Sequence, residues 1–348
     1  MRWLLWFRLR NLWKSTFSVV WMYIAGMMSF LRRRDSYIVE RHRGKRDLAG
    51  ARRVAVFAHY DRRGRVHDYV IHYLNSLRTA GFEVVFVSNA PRLPIEAIAK
   101  LKPFCALIMR RRNVGYDFAA YKDGIGVLAD VAALEELIVA NDSVYGPFAD
   151  LATVLSPCAS EKAAVWGITD SWFRRYHVQS YFILFKHAAL ANEGFWRFWS
   201  NVRYVQSKRW TIEKYEIGLS QAMSRSGLRC AALYPYRRVA AAVSAAVAGM
   251  IVVEDEKQRL STPTRQRRFA NDMAEAIERG RPLNSTHHLW DFLISDMACP
   301  FLKRELLERN PMEVPSLQRW EKVISDAFDY DTDLILRHLE EQARNRAV

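Results

Sequence analysis

The stretch Glu135 to Phe148, EELIVANDSVYGPF, runs an apolar segment fit for a buried strand straight into Asn141-Asp142-Ser143 and then stops it at Tyr-Gly-Pro. A strand that ends on a bare carboxylate has one strong chemical use. Asp142 at such a tip can coordinate a divalent cation or hold the ribose of a nucleotide sugar. Mg²⁺ suits this setting, because it binds through one or two carboxylates plus substrate phosphates and needs no full protein cage. The competing reading is an Asx-type turn that merely ends the strand.

Other residues offer complementary chemistry. In RNVGYDFAAYKDG, Gly115 permits a tight turn after Asn113, and Asp117 is placed to start a helix as its N-cap, leaving backbone N–H groups for an anion. Arg110, Arg111 and Arg112 just upstream could hold phosphate, or form a solvated face. Lys303 and Arg304, in PFLKRELLERNP, stand beside a short apolar anchor and read equally as phosphate contacts or surface charges. His177 precedes Gln179-Ser180-Tyr181, and His287-His288 precede Trp290; either of the pair could complete a metal site or touch a diphosphate, although a lone histidine is more often a satisfied core residue. Glu216 lies on a predicted helix among Ile212, Tyr215, Ile217 and Leu219, where burial can raise a carboxylate toward the working range of a general base. Its plainer reading is a surface partner of Lys214.

The elements that must position these groups alternate in type. RRVAVFAHY, FEVVFVSNAP, FCALIMR and ELIVANDS read as buried strands, separated by helical patterns from Gly64 to Gly81, around Pro94 to Leu101, and after Gly115. This order predicts a mainly parallel sheet with helices on both faces, in which ligands meet the carboxyl ends of the strands. Beyond Pro147 two further strands, AAVWGITDSW and HVQSYFILFK, and helices in FWRFWSNV and TIEKYEIGLSQAMSRSG are expected. The Ala-rich run from Val239 to Val253 is too weakly apolar to span a membrane and reads as packing or a mobile loop.

Composition limits the function classes. Half of the 348 residues are apolar, enough for a sizeable core. Of the net charge of +15, residues 1–53 carry +10, from thirteen Lys/Arg against three acids. The basicity therefore belongs to one end of the chain, which argues against nucleic acid as the partner of the main body. Four dispersed cysteines fit a reducing compartment. The N-terminal segment holds seventeen uncharged residues from Ser15 to Leu31, short of the about 20 a span needs, with Trp3, Trp6, Trp13, Trp21 and Tyr23 and a closing Arg32-Arg33-Arg34. It reads as a helix lying in or dipping into the cytoplasmic face of a membrane, with a helix packed on the domain as the alternative. The expected organisation is a membrane-associated helix over 1–34, a basic linker over 35–53, a catalytic domain over 54–325 and a helical tail over 326–348.

Taken in order, RNVGYDFAAYKDGI, LIVANDSVYGPF, WGITDS, YHVQSYFILFK, FWRFW, YEIGLS, THHLWDFLI and PFLKRELLERNP resemble the rhamnan synthesis protein F family, over roughly Val54 to Ile324. The resemblance implies a glycosyltransferase of GT-A-like α/β fold that uses a nucleotide sugar, with dTDP-rhamnose as donor and a lipid-carried surface polysaccharide or lipopolysaccharide as acceptor at the cytoplasmic face of the inner membrane. It implies that Asp142 is the counterpart of a strand-end Asp-x-Asp motif that holds metal and diphosphate. Here that motif is Asn141-Asp142-Ser143, with a single acid. It also implies that Asn113, Gly115 and Asp117 line the donor pocket and, by analogy of order, that Glu216 is the base of an inverting displacement. Arg112, Lys303 and Arg304 would assist the diphosphate, His177 and Gln179 would line the site, and Mg²⁺ or Mn²⁺ would sit on Asp142 with His288. A non-catalytic scaffold that keeps the fold is the rival reading.

Overall fold

The protein is described by a computed structural model over residues 19–31, 37–160, 162–248 and 262–346. Eleven strands fall in chain order: β1 (Ile38–Arg43), β2 (Arg53–His59), β3 (Glu83–Ser88), β4 (Leu107–Arg111), β5 (Glu136–Asn141), β6 (Val144–Tyr145), β7 (Val165–Ser171), β8 (His177–Val178), β9 (Phe182–Lys186), β10 (Cys230–Tyr234) and β11 (Leu302–Lys303). Nine of them form one sheet in the order β1-β4-β3-β2-β5-β9-β7-β10, with β8 paired to β7. β4, β3, β2 and β5 are mutually parallel, as the apolar runs predict. β9 runs antiparallel between β5 and β7, which makes the sheet mixed.

Period-two alternation explains the two layers around it. Ala55 and Phe57 point to one face, which Tyr69, Tyr73, Leu74 and Leu77 of helix Asp68–Thr79 cover, and helix Tyr236–Ala248 adds Val239 and Val243 to the same core layer nearer β7. Val54, Val56 and Ala58 point to the other, under helices Tyr116–Ile125, Glu193–Asn201 and Ile217–Arg225. Strands buried on both sides have no polar face to show, hence the unbroken apolar runs. The chain leaves β2 toward β3 and β4, then returns to β2's other side as β5, so the β2/β5 boundary is the point where the winding reverses. Open α/β sheets bind ligands there, outside the carboxyl ends of the strands. Those ends carry Tyr60 and Asp142.

Three parts differ from the sequence expectation. β1 lies inside the expected basic linker and closes the sheet edge by antiparallel pairing with β4. Its side chains alternate between half-buried and exposed, so an edge strand masquerades as a charged linker. HVQSYFILFK is not one strand but two, and the break at Gln179-Ser180-Tyr181 turns the chain at the sheet rim. The helical tail is also no loose extension, because Ile335 and His338 of helix Asp333–Arg346 are buried and the His338 ring packs against Tyr69 and Tyr145. The Ala-rich run is helical through Ala248, and residues 249–253 lie outside the described residues.

The arginine run resolves into three different roles. Arg110 is tied to Glu40 on β1, with Nε 2.8 Å from Oε1. Arg111 is fully buried, donating to Asp123 Oδ2 at 2.7 Å, Asn89 Oδ1 at 2.7 Å and the Val114 carbonyl at 2.9 Å. Arg112 alone projects to solvent. Removing one member of a buried pair leaves an uncompensated charge, so Arg111→Ala should cost about 3–5 kcal/mol in urea unfolding, while Arg112→Ala should stay within about 0.5 kcal/mol.

Candidate functional site

A two-stranded ribbon assembles the site. β11 pairs antiparallel with β6, Leu302 opposite Tyr145 and Lys303 opposite Val144. The Arg304 amide then donates to the Ser143 carbonyl at 3.0 Å. This register delivers Lys303 and Arg304 to the strand-end Asn141-Asp142-Ser143. Asp142, expected bare, is instead 6% exposed. Its Oδ2 accepts from Arg304 Nη1 at 3.1 Å and from the Tyr60 amide at 3.3 Å. The same Arg304 nitrogen donates to the Asp142 carbonyl at 3.0 Å and to the Tyr69 hydroxyl at 2.8 Å, and Arg304 Nε faces Glu308 Oε1 at 3.1 Å.

Two more carboxylates converge from other elements. Asp117 is not the N-cap; Gly115 is, and Asp117 is the second residue of helix Tyr116–Ile125. The entry is made by two successive left-handed residues, Gly115 at φ 88° and Tyr116 at φ 55°. A Cβ on Gly115 would lie 2.7 Å from that of Ala119, so this turn requires glycine. It aims Asp117 at the β5 end, where Oδ2 accepts from Asn141 Nδ2 at 3.0 Å. Glu216 ends the π-helical turn Thr211–Glu216, a bulge of the kind often found at functional sites. Its Oε1 accepts from the Ser180 amide at 3.1 Å and the Ser180 hydroxyl at 2.9 Å, in place of any pairing with Lys214.

Lys303 sits among these acids. Its Nζ is 3.3 Å from Ser143 Oγ and 4.4 Å from the centre of the Tyr181 ring. Ser143 is itself fixed by donating to Asn141 Oδ1. Burial lowers the Lys303 ammonium to about 8, with Glu216 and Asp117 acting to keep its proton. Burial, reinforced by the negative charge of Asp142, pushes Asp117 up to about 6. Three carboxylates and two cations thus face one another at the winding reversal, and burial together with the like charge of Asp142 makes Asp117 the acid that takes up a proton most readily.

Asn141, Asp142, Ser143, Asp117, Glu216, Lys303 and Arg304 are therefore brought together, and the remaining candidates are not. Asn113 and Arg112 are exposed at the end of β4, which β3 and β2 separate from β5 by about 14 Å. The Gly115 amide is no free anion donor, since it donates to Gln206 Oε1 at 3.3 Å. His177 is buried on β8 with Nδ1 2.9 Å from the Arg175 carbonyl, and Gln179 accepts from the Thr169 hydroxyl at 2.6 Å. His288 stands apart from Asp142: its Nδ1 meets the Asn284 carbonyl at 3.2 Å, and it lines a separate cavity of about 290 Å³ with Phe269, Met273 and Arg319. Its neighbour His287 turns toward Glu305, Nε2 to Oε2 3.9 Å. Among the described residues no group of three or more His, Cys, Asp or Glu is arranged to hold a metal ion. Sequence reasoning passed over Ser180, Tyr181, Tyr60 and Tyr69; for the first two, the polar pair interrupting an apolar strand was the available clue.

Residues 84–250 match the family described as Rhamnan synthesis protein F, the family the ordered motifs resemble. The matched stretch contains Asp117, Asp142, Ser180 and Glu216 and leaves Lys303 and Arg304 outside it. Virulence protein VirA of Vibrio anguillarum is 27% identical over 288 residues, covering 80% of this chain and 87% of that protein. Uncharacterized protein y4gN of Sinorhizobium fredii is 29% identical over 186 residues, covering 52% of this chain and 48% of that protein. A solved cytidylyltransferase from Leptospira borgpetersenii, 10% identical, covers 66% of this chain and 94% of that one at a TM-score of 0.30, too slight a likeness to carry an argument.

The raised Asp117 carboxyl has a thermodynamic signature. A carboxyl raised from its usual value to about 6 makes the folded state hold more protons than the unfolded chain between about pH 4 and 6. Its contribution to stability is therefore present at low pH and is lost as pH rises through that window. Asp117→Asn should flatten this part of the stability-against-pH curve measured by urea unfolding, and an unchanged slope would mean that Asp117 ionises normally.

Proposed function

We propose that the protein is a glycosyltransferase that moves a sugar, rhamnose in this reading, from a nucleoside-diphosphate donor to a lipid-carried surface polysaccharide or lipopolysaccharide. The observation that supports this best is the cluster of Asp117, Asp142, Glu216, Lys303 and Arg304 at the β2/β5 reversal, mostly within the stretch that matches the rhamnan synthesis family. The donor diphosphate would lie against Lys303 and the outer edge of Arg304. The acceptor hydroxyl oxygen attacks the anomeric carbon from the opposite side as the bond to the diphosphate oxygen breaks. The departing electron pair ends on a diphosphate neutralised by these cations, and the hydroxyl proton passes to Glu216. Configuration inverts in this single displacement. The Ser180 amide and hydroxyl hold Glu216 in one orientation throughout.

The resemblance implies Mg²⁺ or Mn²⁺ on Asp142, and the residues present do not fit that ion. Asp142 Oδ2 is already shared by Arg304 and the Tyr60 amide, and among the described residues no group of three or more His, Cys, Asp or Glu is arranged to complete a metal site around the remaining oxygen. A dication 4 Å from the guanidinium would be repelled by on the order of 8 kcal/mol at an effective dielectric of 20. His288 is turned away from the cluster. These contacts support neutralisation by protein cations. The same ion pair also favours the rival reading, a non-catalytic scaffold, because it occupies one oxygen of the carboxylate that the resemblance makes a ligand.

A thermal-shift and calorimetric series with dTDP, UDP and GDP separates these readings. At least one nucleotide should bind in EDTA as tightly as in Mn²⁺, and Lys303→Gln should weaken it about 10- to 100-fold, the loss expected for a charge-assisted hydrogen bond of about 1.5–3 kcal/mol. Because the Lys303 ammonium loses its proton near pH 8 in the free protein, affinity should fall as pH rises through that value, and Lys303→Arg should abolish the decline. Glu216→Gln should leave nucleotide binding intact and stop transfer. Nucleotide binding without turnover of any activated sugar would favour the scaffold, and binding seen only with Mn²⁺ would return the metal to Asp142.

A further inference from the structure

The described N-terminal helix, residues 19–28 with the tight turn Ser29–Leu31, is two-faced in an unusual sense: both faces are apolar. Met22, Ala25, Gly26 and Ser29 recur at helical spacing and are buried against the domain. The smallness of Ala25, Gly26 and Ser29 permits close approach. A Cβ on Gly26 would come within 2.5 Å of the Trp210 ring, and the Ser29 hydroxyl folds back onto the Gly26 carbonyl at 2.6 Å. The opposite surface presents Val20, Trp21, Tyr23, Ile24, Met27 and Phe30 to solvent, with Trp21 50%, Met27 72% and Phe30 74% exposed. Monomeric proteins rarely leave so many large apolar side chains contiguous on one element.

We propose that this outward face seats the protein on an anionic phospholipid surface. Trp and Tyr favour the headgroup boundary, and Met, Ile and Phe enter the acyl region beneath it. Charge complementarity identifies the occupant. Arg32, Arg33 and Arg34 follow the helix directly in sequence, and Lys208 and Lys214 are exposed on the segment that carries Trp210, with Lys214 Nζ 5.9 Å from that ring. A surface with an apolar centre and a cationic rim meets anionic headgroups and acyl chains at once. Among the described residues no helix is long and apolar enough to cross a membrane.

The inner face fixes what that seat is attached to. Arg203 Nη1 donates to the Gly26 carbonyl at 3.2 Å, and its guanidinium lies 4.0 Å from the Phe30 ring and 5.1 Å from that of Trp210. The backbone of Arg203 is in turn clasped by the Tyr215 hydroxyl, which accepts from its amide at 2.9 Å and donates to its carbonyl at 3.0 Å. The next residue is Glu216. A bilayer held by the outer face is thus referenced, through Arg203 and the π-turn, to the carboxylate assigned to the acceptor. That last step rests on the transferase reading, whereas lipid binding stands without it.

Co-sedimentation of the full chain with vesicles tests the seat directly, without nucleotide. The protein should pellet with phosphatidylcholine vesicles containing about one-third phosphatidylglycerol, bind pure phosphatidylcholine at least tenfold more weakly, and lose part of its binding at 1 M salt. The triple variant Trp21→Glu, Ile24→Glu, Met27→Glu changes solvent-facing positions only and should lose at least tenfold in vesicle affinity while keeping its nucleotide binding. Should that variant fold poorly, a dye on Met28→Cys in a Cys230→Ser background reports the same contact, since Cys105, Cys158 and Cys299 are buried and Cys230 is only partly so; its emission should shift to the blue with anionic vesicles. Equal pelleting of the triple variant, no binding by the unaltered chain, an unshifted dye, or a vesicle-free dimer that the triple variant splits would each overturn the proposal, the last by making a second copy of the chain the occupant.

Discussion

The ion pair between Arg304 and Asp142 joins residues 162 positions apart and holds the rest of the site in register. Asp142 is almost wholly buried, and a carboxylate there is tolerated because the Arg304 guanidinium and the Tyr60 amide both donate to it. The pair also ties the β6/β11 ribbon to helix Asp68–Thr79, since the same Arg304 nitrogen reaches Tyr69. Lys303, one residue earlier on the ribbon, therefore has its position set by a bond it does not make.

Sheet topology explains why the other charges gather here. β9 runs against its neighbours, so its beginning lies at the rim where β5 ends, with Phe182 opposite Ala140. The chain segment entering β9 can thus present the Ser180 amide and hydroxyl to Glu216 and the Tyr181 ring to Lys303. Helix Tyr116–Ile125 meets the same rim from the far side through Asp117 and Asn141. Three acids at one rim would repel strongly, and the two cations offset that repulsion while Asp117 stays easier to protonate than an ordinary carboxyl.

How much of this was legible in the sequence follows from how local each determinant is. The strands β2, β3, β4 and β5 announce themselves as apolar runs, and Asp142 is visible as an acid at a strand end because both features span only a few residues. β1 was hidden, because an edge strand reading Ile-Val-Glu-Arg-His-Arg alternates like a linker and needs only one partner strand. The roles of Arg110, Arg111 and Arg112 could not be separated by spacing, since they depend on Glu40, Asp123 and open solvent respectively. Likewise nothing near Asp142 reveals that its partner comes from β11, and nothing near His288 reveals that the neighbouring helix turn points it into another cavity. Long-range pairing is set by the sheet's connection order, which short motifs do not encode.

The docking of helix Asp333–Arg346 has a consequence for how the molecule comes into being. Its His338 Nδ1 lies 2.8 Å from the Tyr145 hydroxyl, on the same ribbon that Arg304 anchors. A ribosome that has exposed Asp142 must still make some two hundred residues before both fastenings exist. Until residues 302–304 are made, the nascent sheet carries an acid with no counter-ion and an unpaired β6. Completion of this region consequently waits on contacts 162 and 193 positions distant in sequence, long after the parallel core strands have left the ribosome.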